Sequence, residues 1–405
     1  MSLTAREEFL LKAAIITAFG WWIYLPVLNG DWLWDDPVVV SENPELRTWS
    51  GLGQIWFSAP ATDYWPITWT LLWIEWHLWG GVTLGYHVTN VLFHLTGAFL
   101  IWRLLSKLGL SWGWLGALIF TVHPLAVESV AWISEIKNTF SLPFYLLSLI
   151  FYIDADRDGK ADAYWKSLFF YLFAMLCKTS VVMLPAVLLL YCWWRHGRLT
   201  GRDVGAMLPY FAIALALGSL TYYFQTVHFD EQAVVRERTF VIKLIGASSA
   251  IVFYLGKFIT PVDQMLIYPR WNLHPPSLLR IATLPLVAVM LVALWAGRKT
   301  WGRHALLGIG FFLINLFPII GLMQMNWMNV SWVADHLAYI PIIGLIGLVV
   351  AGVEQASRMR PGCRPILVAA IVAVIIPLAL KSHWYAGQFV DLKTLRTTKI
   401  HQMWD

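Results

Sequence analysis

Apolar runs dominate the chain, and short clusters of charge separate them. Runs that approach the roughly 20 residues needed to cross a bilayer as helix occupy Leu10–Leu28, Tyr86–Leu105, Ser111–Val122, Asn138–Ile153, Tyr164–Cys177, Val181–Trp194 and Met207–Phe224. Four more follow at 279–296, 304–321, 335–353 and 365–380. The pattern predicts an all-α polytopic membrane protein of about eleven spans. Two apolar segments do not read as simple spans. Pro66–Trp79 is short and carries Glu75 and His77, while Trp69, Trp73, Trp76 and Trp79 fall on one helical face. It is expected to lie in the interface as a juxtamembrane helix anchored by that tryptophan stripe. The segment 241–259 is interrupted by Lys243, Ser248, Ser249 and Lys257, and is expected to be re-entrant or interfacial.

Charge orients the bundle. Basic clusters at Arg103/Lys107, Arg195–Arg202, Arg298–Arg303 and Arg358–Arg364 mark one side as cytoplasmic. The loop 29–85 carries Asp31, Asp35, Asp36, Glu42, Glu45 and Asp63 against Arg47 and belongs on the other side. The expected arrangement is a transmembrane domain over 1–380, with an uncleaved first helix and a cytoplasmic N-terminus. The stretch Gln225–Arg238 and a short tail over 381–405 are expected outside. Composition agrees: 59% of residues are hydrophobic and 13% charged, well below a soluble domain. The formal charge of +5 is scattered over helix ends, which excludes a nucleic-acid surface. Cys177, Cys192 and Cys363 have neither disulfide-framework nor metal spacing.

The candidate chemistry gathers on the acidic side. Asp35 and Asp36 are adjacent carboxylates, so each disfavours ionisation of the other, and they suit base chemistry or a divalent cation. Solvation of a loop between apolar helices is an equally good account of the pair. Around them the same side collects His123, Glu128, Glu135, Lys137, Lys178, Lys257, Arg270, Asp335 and His336. A carboxylate can deprotonate an acceptor hydroxyl and a cation can hold a phosphate leaving group. Those groups serve glycosyl transfer from a lipid phosphate, phosphotransfer or proton-coupled transport alike. His87 and His94 share a helical face and are expected to pack or hydrogen-bond.

The order of motifs resembles the C-type (GT-C) glycosyltransferases, and within them the transmembrane and tetratricopeptide-repeat O-mannosyltransferases and their bacterial relatives. The matching stretches are Trp34-Asp35-Asp36, Tyr64-Trp65-Pro66-Ile67-Thr68, Gly85 to Asn90 with His94, and the His123-Pro124 to Trp132-Ile133-Ser134 block. Lys178 ahead of Leu184-Pro185, Lys257 to Tyr268-Pro269, and Ala334 to Pro341 continue the series. The resemblance implies an inverting transferase on the periplasmic or lumenal face. Its donor would be a polyprenyl- or dolichyl-phosphate sugar and its acceptor a protein or glycan hydroxyl. It implies Asp35 or Asp36 as the base, His123 and Glu128 at the donor pocket, and Lys178 with Asp335-His336 at the lipid phosphate. Lys137 and Arg270 are further cations for that phosphate. The bacterial inner membrane is the expected location in preference to the endoplasmic reticulum.

Three places depart from the family pattern. Trp65, Ile136 and the His336-Leu337 pair stand where the family usually carries arginine or Arg-Tyr. The helical repeats expected after the last span are not in this sequence. These departures leave a second reading, a catalytically inactive subunit of a membrane protein complex.

Overall fold

The computed structural model describes residues 4–58, 63–227, 239–322 and 326–397. Most of the stretch Gln225–Arg238 and the end of the tail, 398–405, therefore lie outside the described residues. Among the described residues sixteen α-helices are joined by short 3₁₀ turns and one π turn at Pro37–Ser41, and no strand forms. They are α1 (Ala5–Tyr24), α2 (Trp49–Phe57), α3 (Pro66–Trp79), α4 (Thr83–Lys107), α5 (Gly113–Val122), α6 (Val127–Ala131), α7 (Ile136–Asp158) and α8 (Ala161–Cys177). The second half adds α9 (Leu184–His196), α10 (Gly201–Val227), α11 (Phe240–Ile259), α12 (Leu278–Ala296), α13 (Gly302–Leu316), α14 (Ile342–Met359), α15 (Arg364–Ala386) and α16 (Leu392–Thr397).

Helices occupy every position expected of a span. Among the described residues, nine helical segments are long and apolar enough to cross a membrane, ten if a bent pair is one span. This is an all-α polytopic membrane protein. The bent pair is Gly113–Val122 with Pro124–Ala131, turned by 64°. Pro124 has no N–H to continue a helix, and the residue before a proline is pushed to extended backbone. His123 accordingly sits at ψ 127°.

The structure corrects two expectations. The segment Phe240–Ile259 is one unbroken helix, not a re-entrant hairpin, and is long and apolar enough to cross. Its serines do not interrupt it because they are satisfied sideways. Ser248 Oγ bonds the Ile245 carbonyl and meets Thr283 Oγ1 on α12 at 2.8 Å, while Ser249 Oγ meets the same hydroxyl at 3.2 Å. The tryptophan stripe of α3 packs on protein, with Trp73 buried and Trp69, Trp76 and Trp79 half-buried. Trp73 is 7% exposed and donates to the Thr48 carbonyl at 2.8 Å. The Trp76 ring lies 4.9 Å from the Arg47 guanidinium, and Trp79 stacks edge-on to Tyr86. Burying large rings yields more than exposing them, so the loop folds its tryptophans inward and leaves Ile74 and Leu78 outside. A small core results, with Val40, Leu46, Ile55, Leu72, Ile133 and Ile136 at its centre. It fastens the first loop to the start of α7.

At the opposite end the basic residues collect. Arg195 pairs with Asp156, Lys107 with Asp154, and Arg303 donates to the Arg195 carbonyl at 3.0 Å. Glu354 on α14 takes the Ser111 N–H at 2.7 Å and its hydroxyl at 3.1 Å, which ties the α4–α5 turn to α14. Helices α13 and α14 cross where Gly308 faces Gly344. A Cβ on Gly344 would lie 2.3 Å from the Gly308 carbonyl oxygen. Small residues permit such close crossings in membranes.

Gly344→Ala should therefore lower thermal stability in detergent by about 1–3 kcal/mol, the usual cost of overpacking. Gly352→Ala on the same helix, where an added Cβ meets nothing within 4 Å, should be neutral or stabilising by up to about 1 kcal/mol. Melting curves of both variants check the pair.

Candidate active site

The chain turns sharply at Leu33–Asp36. Trp34 takes a left-handed backbone at φ 47°, a conformation uncommon outside glycine and held only where surroundings enforce it. The enforcement is local. The Asp36 N–H donates to the Leu33 carbonyl at 2.7 Å, and the Leu33 N–H donates back to Asp36 Oδ2 at 2.9 Å. Both carboxylates then point at Ser134. The Ser134 N–H donates to Asp36 Oδ1 at 2.8 Å, and its hydroxyl lies against that same oxygen and 2.6 Å from Asp35 Oδ1. Asp36 is fully buried and Asp35 half-buried. Burial, with Asp35 adding to it, pushes the Asp36 carboxyl up to about 7 against the opposing pull of Ser134 and Leu33. A hydroxyl carries one proton. Ser134 can therefore donate to only one of the two facing oxygens at a time, and a proton held on the raised Asp36 carboxyl frees it to donate to Asp35.

Next along the chain lies a lysine group. Glu135 is 2.7 Å from Lys137 and 3.8 Å from Lys178, and accepts from Asn138 Nδ2 at 2.5 Å. Lys178 in turn donates to Asn138 Oδ1. Two ammonium groups thus share one buried carboxylate. Burial lowers Lys178 to about 8, and Glu135 opposes that fall. Trp65 forms one wall: its N–H donates to Thr179 at 3.2 Å and its ring centre lies 5.7 Å from the Lys137 ammonium.

On the other side of Ser134 stands a carboxylate–histidine group. His336 Nδ1 meets Glu128 Oε1 at 2.5 Å, and the Tyr268 hydroxyl donates to Asp335 Oδ1 at 2.9 Å. Burial, with the Glu128 charge adding to it, raises Asp335 to about 8. Tyr254 fixes this turn by donating to the Ala334 carbonyl and accepting the Ala334 N–H, both at 3.0 Å. Asp335 lies ahead of α14, not within it, because the helix begins only after Pro341.

Of the nine residues to which the resemblance gives a role, the structure brings together seven: Asp35, Asp36, Glu128, Lys137, Lys178, Asp335 and His336. His123 is engaged in the fold. Its Nδ1 accepts from the Leu125 N–H at 3.2 Å and its Nε2 meets the Phe258 carbonyl at 3.1 Å, so it caps the bend and ties α11 to it. Arg270 is exposed beside the buried Tyr268. Of the residues that build the site, the serine role of Ser134 and the amide role of Asn138 were not singled out beforehand. Ser134 at least lies in the Trp-Ile-Ser block; Asn138 carries no local signal. His94 meets the Tyr339 hydroxyl at 2.9 Å, as its placement on a packed helical face led one to expect. Among the described residues no three His, Cys, Asp or Glu side chains are grouped so as to hold a metal ion; of the acidic pair, both Asp36 oxygens and Asp35 Oδ1 are engaged by Leu33 and Ser134.

Protein comparisons bear on this geometry. No protein-family profile matches the chain. The human protein O-mannosyl-transferase TMTC4 is 28% identical over 183 aligned positions, 37% of this chain and 25% of the human protein. The human protein O-mannosyl-transferase TMTC2 is 30% identical over 160 positions, covering 36% and 19% of the two chains. The Drosophila melanogaster protein O-mannosyl-transferase Tmtc1 is 28% identical over 201 positions, covering 45% and 23%. The chain resembles the protein O-mannosyl-transferases. It aligns with a quarter or less of the length of these relatives. The O-mannosyltransferase resemblance drawn from the motifs is the one these comparisons give.

The raised Asp36 carboxyl has a consequence for stability. Its folded affinity for a proton exceeds that of the unfolded chain, at 3.8, so the folded state holds the proton that the unfolded state releases. This contribution is full below about 3.8 and is lost as pH rises through about 7. The thermal midpoint of the wild type should therefore fall from about pH 5 to about pH 8, and Asp36→Asn should flatten that slope. Unfolding followed by tryptophan fluorescence in detergent checks it.

Proposed function

We propose that this protein is a membrane glycosyltransferase that moves a hexose from a polyprenyl- or dolichyl-phosphate carrier to a hydroxyl of a protein or glycan. The resemblance to protein O-mannosyl-transferases supports mannose as the sugar. The observation that carries the reading is the division of labour between the two aspartates. Asp35 is half-buried and accepts a hydrogen bond from the Ser134 hydroxyl, so it is the member of the pair that an acceptor can reach. Asp36 is buried and locks the turn.

In this mechanism the acceptor hydroxyl gives its proton to Asp35 as its oxygen forms a bond to the anomeric carbon. The bond from that carbon to the phosphate oxygen breaks on the opposite face, so the configuration inverts. The phosphate leaves on its lipid, carrying the electron pair of the broken bond. General-base assistance of this kind contributes typically 10²–10⁴-fold in rate. Lys137 and Lys178 offset the charge that grows on the leaving phosphate. They supply the cationic function that Trp65, Ile136 and His336 do not. No step is routed through a divalent cation. The acidic end of the bundle faces the periplasm or lumen, opposite the basic clusters, by the positive-inside rule.

Transfer measured in proteoliposomes, with polyprenyl-phosphate mannose as donor and a Ser/Thr-rich peptide as acceptor, tests the mechanism. Asp35→Asn should lower transfer by at least about 10²-fold while leaving the melting midpoint within a few degrees. Asp36→Asn should lower both. Transfer that survives in Asp35→Asn at the wild-type rate would sink the assignment. Lys178→Ala should act mainly on donor turnover, because it removes charge from the leaving group.

A further inference from the structure

The carboxylate–histidine group holds more hydrogen-bonding capacity than the fold uses. Glu128 spends Oε1 on His336, and its Oε2 has no partner; Asp335 spends Oδ1 on Tyr268, and its Oδ2 has none. The indole N–H groups of Trp132 and Trp327 and the Tyr385 hydroxyl are also buried without a partner. These atoms belong to one cluster around His336. The Trp327 ring stands edge-on to His336 at 5.0 Å and the Trp132 ring at 6.3 Å. The Tyr385 hydroxyl feels the charges of both Asp335 and Glu128. Buried polar atoms are almost always paired, and a concentration of exceptions calls for a functional account. Glu128, Asp335, Trp132 and Tyr385 are each at most 3% exposed.

The chemistry of the spare atoms selects the ligand. The spare Glu128 oxygen accepts, two indole N–H groups donate, and the spare oxygen of the Asp335 carboxyl and the tyrosine hydroxyl can do either. The one histidine of the group is already committed to Glu128. A phosphate offers only acceptors and negative charge, which it would bring against the Glu128 carboxylate, while Lys257, the described cation whose charge reaches Asp335, is spent on the Val262 and Asp263 carbonyls. A ring of hydroxyls both donates and accepts, and presents C–H faces to indole rings. Trp132 stands two residues before Ser134, and its ring is 6.4 Å from that of Trp34, the neighbour of Asp35. A ring seated in the cluster would therefore lie beside the acidic pair. We infer that Glu128, Asp335, Trp132, Trp327 and Tyr385 form the seat of an uncharged polyhydroxy ring, the sugar of the donor, and that Asp335-His336 do not hold the lipid phosphate. The inference rests on the glycosyl-transfer reading for the identity of the sugar, and gives the phosphate to the Lys137–Lys178 side.

Binding to the purified full chain in detergent, read by tryptophan fluorescence, tests this with two probes. One is octyl α-mannoside, a neutral sugar on an alkyl chain; the other is a polyprenyl monophosphate without sugar. The wild type should bind both. Glu128→Gln, Asp335→Asn and Trp327→Phe should each weaken octyl mannoside at least tenfold and leave polyprenyl phosphate within twofold. Trp327→Phe removes one N–H without altering charge, so it reads the hydrogen bond even if a carboxylate variant fails to fold. Lys178→Ala should show the reverse pattern. Wild-type protein that does not bind octyl mannoside, unchanged mannoside affinity in Trp327→Phe, or loss of polyprenyl phosphate in a folded Glu128→Gln would each overturn the assignment. The expected binding pattern without any sugar transfer would instead overturn the glycosyl-transfer reading and leave the ring site standing.

Discussion

One hydroxyl proton shared between two carboxylates is the constraint on which the site depends. Ser134 touches Asp35 and Asp36 at once, and it can donate to only one of them. The other must carry a proton of its own or repel its neighbour in a medium where charge is poorly screened. Burial settles which. Asp36 sits at 0% exposure between two backbone N–H groups, and Asp35 keeps a path outward. That contact joins the left-handed turn at Trp34, held by Leu33 and Asp36, to the segment whose Ile133 and Ile136 pack into the core of the first loop.

The short segment from Glu128 to Asn138 serves as a spine. It is a broken helical run, α6, a 3₁₀ turn at Ile133–Glu135 and the start of α7, and such breaks are tolerated at membrane depth only where protein covers them. Coverage comes from three directions. The first loop closes over Ser134, the Ala334–Ala338 turn meets Glu128, and Lys178 reaches in from the α8–α9 connection. The bend itself is held by His123, whose two ring nitrogens join the Leu125 N–H to the Phe258 carbonyl. A residue expected among the donor contacts is thus spent on shaping the spine that carries them.

Much of this was legible in the sequence, and the losses have physical causes. Periodicity and length located the helices, and charge sorted their ends, because both effects act along the chain. The site was legible as a collection of acids and cations on one side, but not as three groups. Pairing across 98 residues, as between Ser134 and Asp36, leaves no local trace, and neither does the amide of Asn138 between Glu135 and Lys178. Two readings failed for the same reason. The polar residues of α11 and the tryptophans of α3 were judged against lipid, whereas each has a protein partner: Thr283 for the serines, Thr48 and Arg47 for the rings.

The departures from the family pattern also look different once the contacts are known. Ile136 is fully buried in the loop core, so an arginine there would have no solvent and would need a carboxylate of its own. Trp65 covers Lys137, and His336 is matched to Glu128. The two lysines of the site are likewise matched to the carboxylate of Glu135 and the amide of Asn138. Charge in this chain is therefore arranged along the spine in a fixed order: carboxylates with histidine at Glu128, the hydroxyl and acidic pair at Ser134, ammonium groups at Lys137. A donor made of a neutral ring and a charged phosphate has the same polarity along its length. Its reacting carbon lies between those two parts, as the acidic pair lies between the two groups.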